Sequence, residues 1–149
     1  MESIWIKEIK ADRNCVTYHL DVLEGLVRYF SPGCEMFAEF GFDISNIPKS
    51  VLAVPVLSNI MQFAWLFDCL VWIEEVDQQF YECLPKIKRG FQEMYRNYSF
   101  GGSLIAAKVV SNGYHAEKES ALLFTGGVDA TTSFLRIRDS NPVLIDTFG

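Results

Sequence analysis

The sequence has few of the residues that build metal sites and disulfide frameworks. Its four cysteines, Cys15, Cys34, Cys69 and Cys83, are irregularly spaced without a CxxC pair, and the chain contains only two histidines. This spacing argues against a zinc site and indicates no disulfide framework. We therefore predict free thiols and a reducing, cytoplasmic environment.

Basic charge and recognisable catalytic motifs are also scarce. Nineteen acidic residues outnumber 13 basic ones, which gives a net charge of −6. This balance argues against a broad nucleic-acid surface, although it is compatible with a local basic pocket. The sequence has no Gly-x-Ser-x-Gly elbow, no His-Glu-x-x-His and no Walker lysine, which argues against an ordinary hydrolase or a P-loop NTPase. The first residues, Met1–Trp5, lack the pattern of a signal peptide.

Apolar residues are abundant: half of the 149 residues are hydrophobic, including 12 Phe, six Tyr and three Trp. This is enough for one domain with a sizeable core. The most apolar region, residues 51–73, approaches the length of a membrane span, which needs ~20 residues. Because Gln62 and Asp68 interrupt it, we predict a buried helix ending near Phe67, then a strand at Cys69–Ile73, and no membrane contact.

The opening forty residues predict a small antiparallel sheet. Ile4–Ile9 and Val16–Leu23 are apolar-rich runs separated by a polar turn, which indicates a hairpin. Gly25–Phe30 is predicted as a third strand, and the alternation over Met36–Phe42 predicts another. No catalytic constellation occurs in this region, and His19 is interpreted as an ordinary sheet residue.

The middle of the chain predicts two helices, each with a proline. Pro55 is predicted in the first turn of one helix, and Pro85 is predicted to divide the other. Glu74–Asp77 has two interpretations: a carboxylate cluster for magnesium, or a solvated turn in which Asp77 caps the next helix. Ser103–Ser111 is predicted to be a strand.

The predicted helix that contains Pro85 also carries a basic face, formed by Lys86, Lys88 and Arg89. One interpretation is contact with phosphate or nucleic acid, and the other is an ordinary solvated helix face. The residue pattern leaves both open.

The most informative stretch is Ala121–Leu135. An apolar run at Leu122–Phe124 stops at Thr125-Gly126-Gly127, and helical spacing follows Asp129. The pattern predicts a strand, a glycine turn and a helix, followed by a second strand at Pro142–Ile145. Two glycines let the backbone approach a ligand closely, and unpaired N–H groups at a helix N-terminus favour phosphate.

This segment, Thr125-Gly126-Gly127-Val128-Asp129-Ala130, resembles the Ser-Gly-Gly-x-Asp-Ser loop of the N-type PP-loop ATP pyrophosphatase superfamily. That superfamily includes GMP synthetase, NAD synthetase, asparagine synthetase, tRNA thiolation enzymes and 7-cyano-7-deazaguanine synthase. Its members bind ATP in this loop, form an adenylated substrate and release pyrophosphate. Thr125 keeps the hydroxyl of the first serine of the motif, whereas Ala130 lacks that of the second.

The resemblance implies a role for each loop residue. The N–H groups of Gly126, Gly127 and Val128 would hold phosphate oxygens, and Thr125 and Thr131 would donate hydroxyls. Asp129 would position Mg²⁺ or the loop itself. ATP and Mg²⁺ are therefore the expected cofactors, while the acceptor substrate is not specified.

The resemblance covers only about the last thirty residues. We therefore predict an α+β N-terminal domain over residues 1–115, formed by a small antiparallel sheet plus helices. It is followed over residues 116–149 by the first β-α-β unit of an incomplete α/β nucleotide-binding domain, as in a chain truncated soon after the motif. Such a piece is expected to be inactive alone and to form a homo-oligomer through exposed apolar surface. The alternative is a non-catalytic oligomerisation or partner-binding domain whose glycine loop is degenerate.

Overall fold

The protein is α+β, as predicted at the level of fold class. The computed structural model describes residues 2–30, 33–113 and 120–145. The chain falls into two compact units, residues 1–112 and residues 113–149. The predicted boundary at residues 115/116 and its assignment to an ATP-binding domain stay predictions.

The first unit contains a mixed five-stranded sheet with the strand order β3-β2-β1-β4-β5. Its strands are β1 (Ser3–Asp12), β2 (Cys15–Val22), β3 (Glu35–Glu39), β4 (Leu70–Asp77) and β5 (Ser103–Val110). The β1–β2 hairpin and β3 are antiparallel, whereas β4 pairs parallel to β1 and β5 pairs parallel to β4. The antiparallel pairing predicted for the first forty residues is confirmed in β1, β2 and β3, but the sheet as a whole is mixed, because β4 and β5 extend it in parallel. Helical crossovers before each of them return the chain in the same direction.

Among the described residues of this unit, three helices accompany the sheet: α1 (Glu24–Val27), α2 (Lys49–Leu66) and α3 (Gln78–Met94). The strand predicted at Gly25–Phe30 is wrong, because α1 occupies its first half and the structure has no strand in the rest of it. Leu26 is buried and Phe30 is half-buried, a spacing of four residues that fits a helical turn and not an alternating strand.

Both prolines lie inside helices, which corrects two predictions. Pro55 is seven positions into α2 and not in its first turn, because α2 begins at Lys49. Pro85 does not divide α3, which is continuous across it. A proline removes one backbone hydrogen bond, but the buried Leu84 and the half-buried Phe91 pack against the core on either side and offset that loss.

The segment Glu74–Asp77 belongs to β4, because the ladder with β5 continues to Asp77. The predicted solvated turn is therefore wrong, but the predicted cap is confirmed. The Asp77 carboxylate accepts a hydrogen bond of 3.0 Å from Phe80 N in the first turn of α3. In the described residues no group of acidic, histidine or cysteine side chains has a metal-binding arrangement, which leaves the magnesium interpretation of this segment without support.

The core lies between the sheet and α2. Nine residues of α2 are buried, including Ala53, Leu57 and Ala64, and they face inward-pointing residues of the strands such as Ile4 and Val71. Of the described helices, α2 alone is long and apolar enough to cross a membrane, and half of its most apolar window is buried in the protein. Burial of this kind is what a core helix requires, so the membrane evidence is weak.

The second unit contains β6 (Ala121–Leu123), α4 (Val128–Ile137), a 3-10 turn at Arg138–Ser140 and β7 (Val143–Ile145). Strands β6 and β7 pair in parallel, with Leu122 opposite Leu144. The strand, glycine turn, helix and second strand predicted from the sequence are all present. None of the residues described in this unit is fully buried.

Candidate functional site

The glycine loop Phe124–Gly127 lies at the carboxyl end of β6. Phe124 N donates to Ile145 O at 2.8 Å, which extends the pairing of β6 with β7 into the start of the loop. The rings of Phe124 and Phe134 meet edge to face with centroids 5.9 Å apart, and this contact joins the loop to α4. In parallel sheets this edge is where ligands bind, because the strand ends and helix N-termini converge there.

The loop presents free backbone donors. The first hydrogen bond of α4 runs from Thr131 N to Gly127 O at 2.9 Å, and Gly127 is the N-cap without a side-chain cap bond. By helix geometry, the N–H groups of Val128, Asp129 and Ala130 therefore have no acceptor within the helix. These donors, together with the positive end of the helix dipole, suit a group with several anionic oxygens.

The two glycines differ in what they require. Gly126 has a φ of +75°, a left-handed conformation that an L-residue adopts only with strain. Gly127 has an ordinary extended conformation, and a Cβ placed on it would meet only Thr125 Oγ1, at 3.7 Å. The fold of the loop therefore needs a glycine at position 126, whereas the open space at Gly127 is free for a ligand.

The predicted hydroxyl donors occupy unequal positions. Thr125 lies in the loop itself, and its Oγ1 faces the space beside Gly127. Ala130 is in the first turn of α4, and Thr131 follows it on the helix, rotated by roughly 100° as the 3.6-residue turn dictates. Thr131 therefore does not stand in the position of the missing serine hydroxyl, and its predicted role depends on the reach of its side chain.

Asp129 is in the first turn of α4 and is exposed, as are Thr125, Gly126, Gly127 and Val128. The site is thus a surface turn and not an enclosed pocket. An acidic side chain in a first helical turn interacts favourably with the helix dipole. Asp129 would supply one ligand to Mg²⁺, so the remaining ligands would be water and phosphate oxygens.

A second polar cluster, which no local sequence pattern indicates, lies in the first unit at the carboxyl ends of β4 and β5. Asn112 Nδ2 donates to Asp77 Oδ2 at 2.9 Å and lies 3.0 Å from Ser50 Oγ at the start of α2. Asp77 and Ser50 are buried, with 2% and 0% of their surface exposed. These residues are 27 to 62 positions apart in the chain. Only a prediction that β4 and β5 are neighbouring strands could have placed them close together. The cluster fastens α2 and α3 to the strand ends.

Two other side chains with potentially reactive groups, Lys88 and Cys69, are held in non-catalytic environments. Lys88, from the predicted basic face, donates to Gly102 O at 2.9 Å. Burial, followed by the nearby charges of Glu2 and Asp68, raises the pKa of the Cys69 thiol, which disfavours its reactive thiolate.

Comparison of the chain with protein-family models, with curated proteins and with solved structures gave no significant match.

Proposed function

We propose that the loop from Thr125 to Thr131 binds the polyphosphate of ATP, as part of an ATP-dependent adenylating enzyme that releases pyrophosphate. The observation that carries the proposal is the geometry of the loop. A left-handed glycine follows a strand with a parallel neighbour. The first N–H groups of α4 have no acceptor within the helix, and the space beside Gly126 and Gly127 is open except for the Thr125 hydroxyl. The TGGVDA residues themselves supply the specific resemblance.

In this proposal the chain binds and orients phosphate and does not attack the substrate. The N–H groups of Gly126, Gly127 and Val128 donate to phosphate oxygens, and the Thr125 hydroxyl adds a donor beside Gly127. Charge-assisted hydrogen bonds of this kind contribute about 1.5–3 kcal/mol each. These fixed dipoles would stabilise the negative charge of departing pyrophosphate. Asp129 would hold Mg²⁺, which neutralises phosphate charge when bound.

The test is titration of the chain with Mg·ATP by calorimetry, with paired glycine variants. A methyl group at position 127 meets open space in the free protein, so Gly127→Ala should keep the fold and lose ATP affinity by at least about tenfold, since it fills the proposed phosphate space. Asp129→Ala should weaken binding only when magnesium is present. Leu135→Ala, on an exposed position of the same helix, is the control and should bind as the parent does.

Unchanged ATP affinity in Gly127→Ala, or no detectable binding by the parent chain, would contradict the proposal. Either result would favour the second candidate function, a non-catalytic module for oligomerisation or partner binding. The exposed apolar side chains of the second unit favour that alternative: Leu123 is 66% exposed and Leu135 is 56% exposed. Light scattering tests it directly, because a homo-oligomer is expected and a clean monomer would count against it.

A further inference from the structure

An aromatic pocket of about 370 Å³ lies in the first unit, at the end of the sheet where β4 and β5 begin. Helix α2 contributes Phe63 and Leu66, α3 contributes Phe91, and the segment after α3 contributes Tyr95, Tyr98 and Phe100. We refer to the cavity formed by these residues, together with Gln62, as the aromatic pocket. Its volume falls within the range of small-molecule sites, roughly 300–1,000 Å³.

The wall that carries Tyr98 and Phe100 is held in place by its two glycines. Gly102 N donates to Asp68 Oδ1 at 2.7 Å, and Gly102 O accepts from Lys88 Nζ at 2.9 Å. A Cβ on Gly101 would collide with the Asp68 carboxylate, and one on Gly102 would collide with backbone oxygens at the end of α2.

Unusual backbone conformations accompany this contact. Asp68 and Gly102 have φ values of +53° and +58°, both in the left-handed region. Gly102 adopts this conformation without strain, whereas at Asp68 it has a cost that the surrounding contacts must offset. The pocket wall is therefore fixed by the fold before any ligand arrives, which reduces the entropy that a ligand must offset on binding.

The rings of the pocket offer flat faces. Phe91 and Tyr95 are near-parallel, with an interplanar angle of 20° and centroids 6.2 Å apart, and Phe100 lies 6.1 Å from Phe91. Tyr95 and Tyr98 remain 47% and 59% exposed, so a large part of this aromatic surface contacts solvent. Exposed aromatic faces beside a cavity favour a partner with a π-system, through stacking or edge-to-face contact.

The polar groups that line the pocket further narrow the chemical class of ligand that it can bind. None of its lining residues is charged. Gln62 donates one N–H to Ser58 O at 3.3 Å, which leaves its side-chain carbonyl as an acceptor at the rim. An amide beside aromatic walls matches a ring that carries its own N–H and carbonyl or ring-nitrogen groups. The absence of cationic lining residues disfavours a ligand that depends on phosphate recognition.

We propose that the aromatic pocket binds an uncharged planar heteroaromatic ring of the nucleobase class. The ring stacks on the faces of Tyr98 and Phe91, and the Gln62 amide pairs with its polar edge. This binding site is independent of the glycine loop, because all of its lining residues lie within residues 62–100.

The experiment uses adenosine as the probe, titrated into the whole chain and followed by calorimetry and by amide chemical shifts. Tyr98→Ala should raise the Kd for adenosine about 5- to 100-fold, the range for the loss of one aromatic stacking partner. Tyr81→Ala is the matched control, since Tyr81 is a partly exposed tyrosine of α3 that lies outside the pocket. It should leave the Kd unchanged. Thermal unfolding of each variant verifies that the fold is retained.

Two further probes test the ligand class. Cyclohexanecarboxamide has an amide but no aromatic face, and it should bind at least about tenfold more weakly than adenosine. AMP should bind no more tightly than adenosine, since the lining has no cation for its phosphate. Gln62→Met, which keeps the size of the side chain but removes its amide, should weaken adenosine binding and leave the fold intact.

The proposal is overturned if adenosine does not bind at millimolar concentration, if Tyr98→Ala and Tyr81→Ala behave alike, or if the aliphatic amide binds as well as adenosine. Failure here is distinct from failure of the ATP proposal. Gly127→Ala should leave adenosine binding to the pocket unchanged, and Tyr98→Ala should leave binding of pyrophosphate, which has no ring, at the glycine loop unchanged.

Discussion

The two units use the same kinds of elements but differ in what they bury. In residues 1–112 a five-stranded sheet and a long helix enclose side chains such as Ile4, Leu57 and Val71, none of which is exposed to any measurable extent. In residues 120–145 no side chain is fully buried, although strands and a helix are present. Secondary structure alone therefore does not make a core. A core requires enough elements to enclose a shared set of apolar side chains.

The largest expected difference is in local stability. Buried strands of a core unfold only with the whole unit, whereas elements without buried side chains open locally at low cost. Amides of β6 and β7 should exchange with solvent at least about 100-fold faster than those of β1 and β4. Hydrogen exchange measured by NMR on the intact chain tests this, and equal protection in both units would contradict the comparison.

Alanine substitutions at Gly102 and Gly126 sharpen the comparison at the level of the backbone. Both glycines have left-handed φ angles, but a Cβ on Gly102 collides with backbone oxygens, whereas one on Gly126 meets nothing within 4 Å. We expect Gly102→Ala to lower the free energy of unfolding by more than about 3 kcal/mol. Gly126→Ala should lower the free energy of unfolding of the second unit by about 1–2 kcal/mol, from backbone strain alone. Denaturant titration monitored separately in each unit measures both, and a smaller effect at position 102 would show that the collision is relieved cheaply.

A pair of leucines makes the same comparison for side chains. Leu57 in α2 is fully buried, and Leu135 in α4 is 56% exposed. Leu57→Ala should destabilise the first unit by about 2–5 kcal/mol, because it removes buried methyl groups and leaves a cavity. Leu135→Ala should change stability by less than about 0.5 kcal/mol. The change in helix propensity is the same in both variants. The difference between their free energies of unfolding, measured by chemical denaturation, therefore reports the contribution of side-chain burial. Similar costs would indicate that Leu135 is covered by a partner in solution.

A smaller effect than that of Leu57→Ala is expected at Tyr18, whose hydroxyl donates to Leu52 O at 2.9 Å inside the first unit. Burial, with a lesser effect from Cys15, raises the pKa of Tyr18 from 10.0 to about 12. The neutral form is therefore favoured by the fold, and this stabilisation is fully present below pH 10 and lost as the pH rises through 12. Tyr18→Phe should cost about 0.5–1.5 kcal/mol near neutral pH.

The pH dependence of the same variant provides the check. Between pH 10 and 12 the stability advantage of the parent over Tyr18→Phe should shrink, because phenylalanine cannot ionise. Urea titrations of both proteins at several alkaline pH values measure this difference. A constant difference would show that Tyr18 does not titrate in the folded protein over that range.

Local sequence patterns predicted much of the secondary structure. The hairpin, the strand near Met36, the long core helix and the Asp77 cap follow from alternation, helical spacing and capping chemistry. The strand and helix around the glycine loop follow from a change of period at Gly126 and Gly127. Each of these signals acts within a few residues along the chain, so the sequence displays it directly.

The errors share a physical cause. Local sequence rules predict that Pro55 and Pro85 limit helices, but apolar contacts made across the fold outweigh one missing hydrogen bond. The composition of Gly25–Phe30 is compatible with a strand, yet its first half belongs to the short helix α1, with Leu26 in the core. In both cases packing against distant residues decided between local alternatives of similar energy.

The sequence by itself determined the fold class, most element types and the glycine turn, since these depend on neighbouring residues. Tertiary structure alone decided that β4 and β5 join β1 in parallel. It also brought Ser50 to Asn112 and Asp68 to Gly102, which are 62 and 34 positions apart. The aromatic pocket also depends on tertiary structure, because its walls come from α2, α3 and the segment that follows α3. Such contacts depend on how elements pack, and no local pattern along the chain encodes that packing.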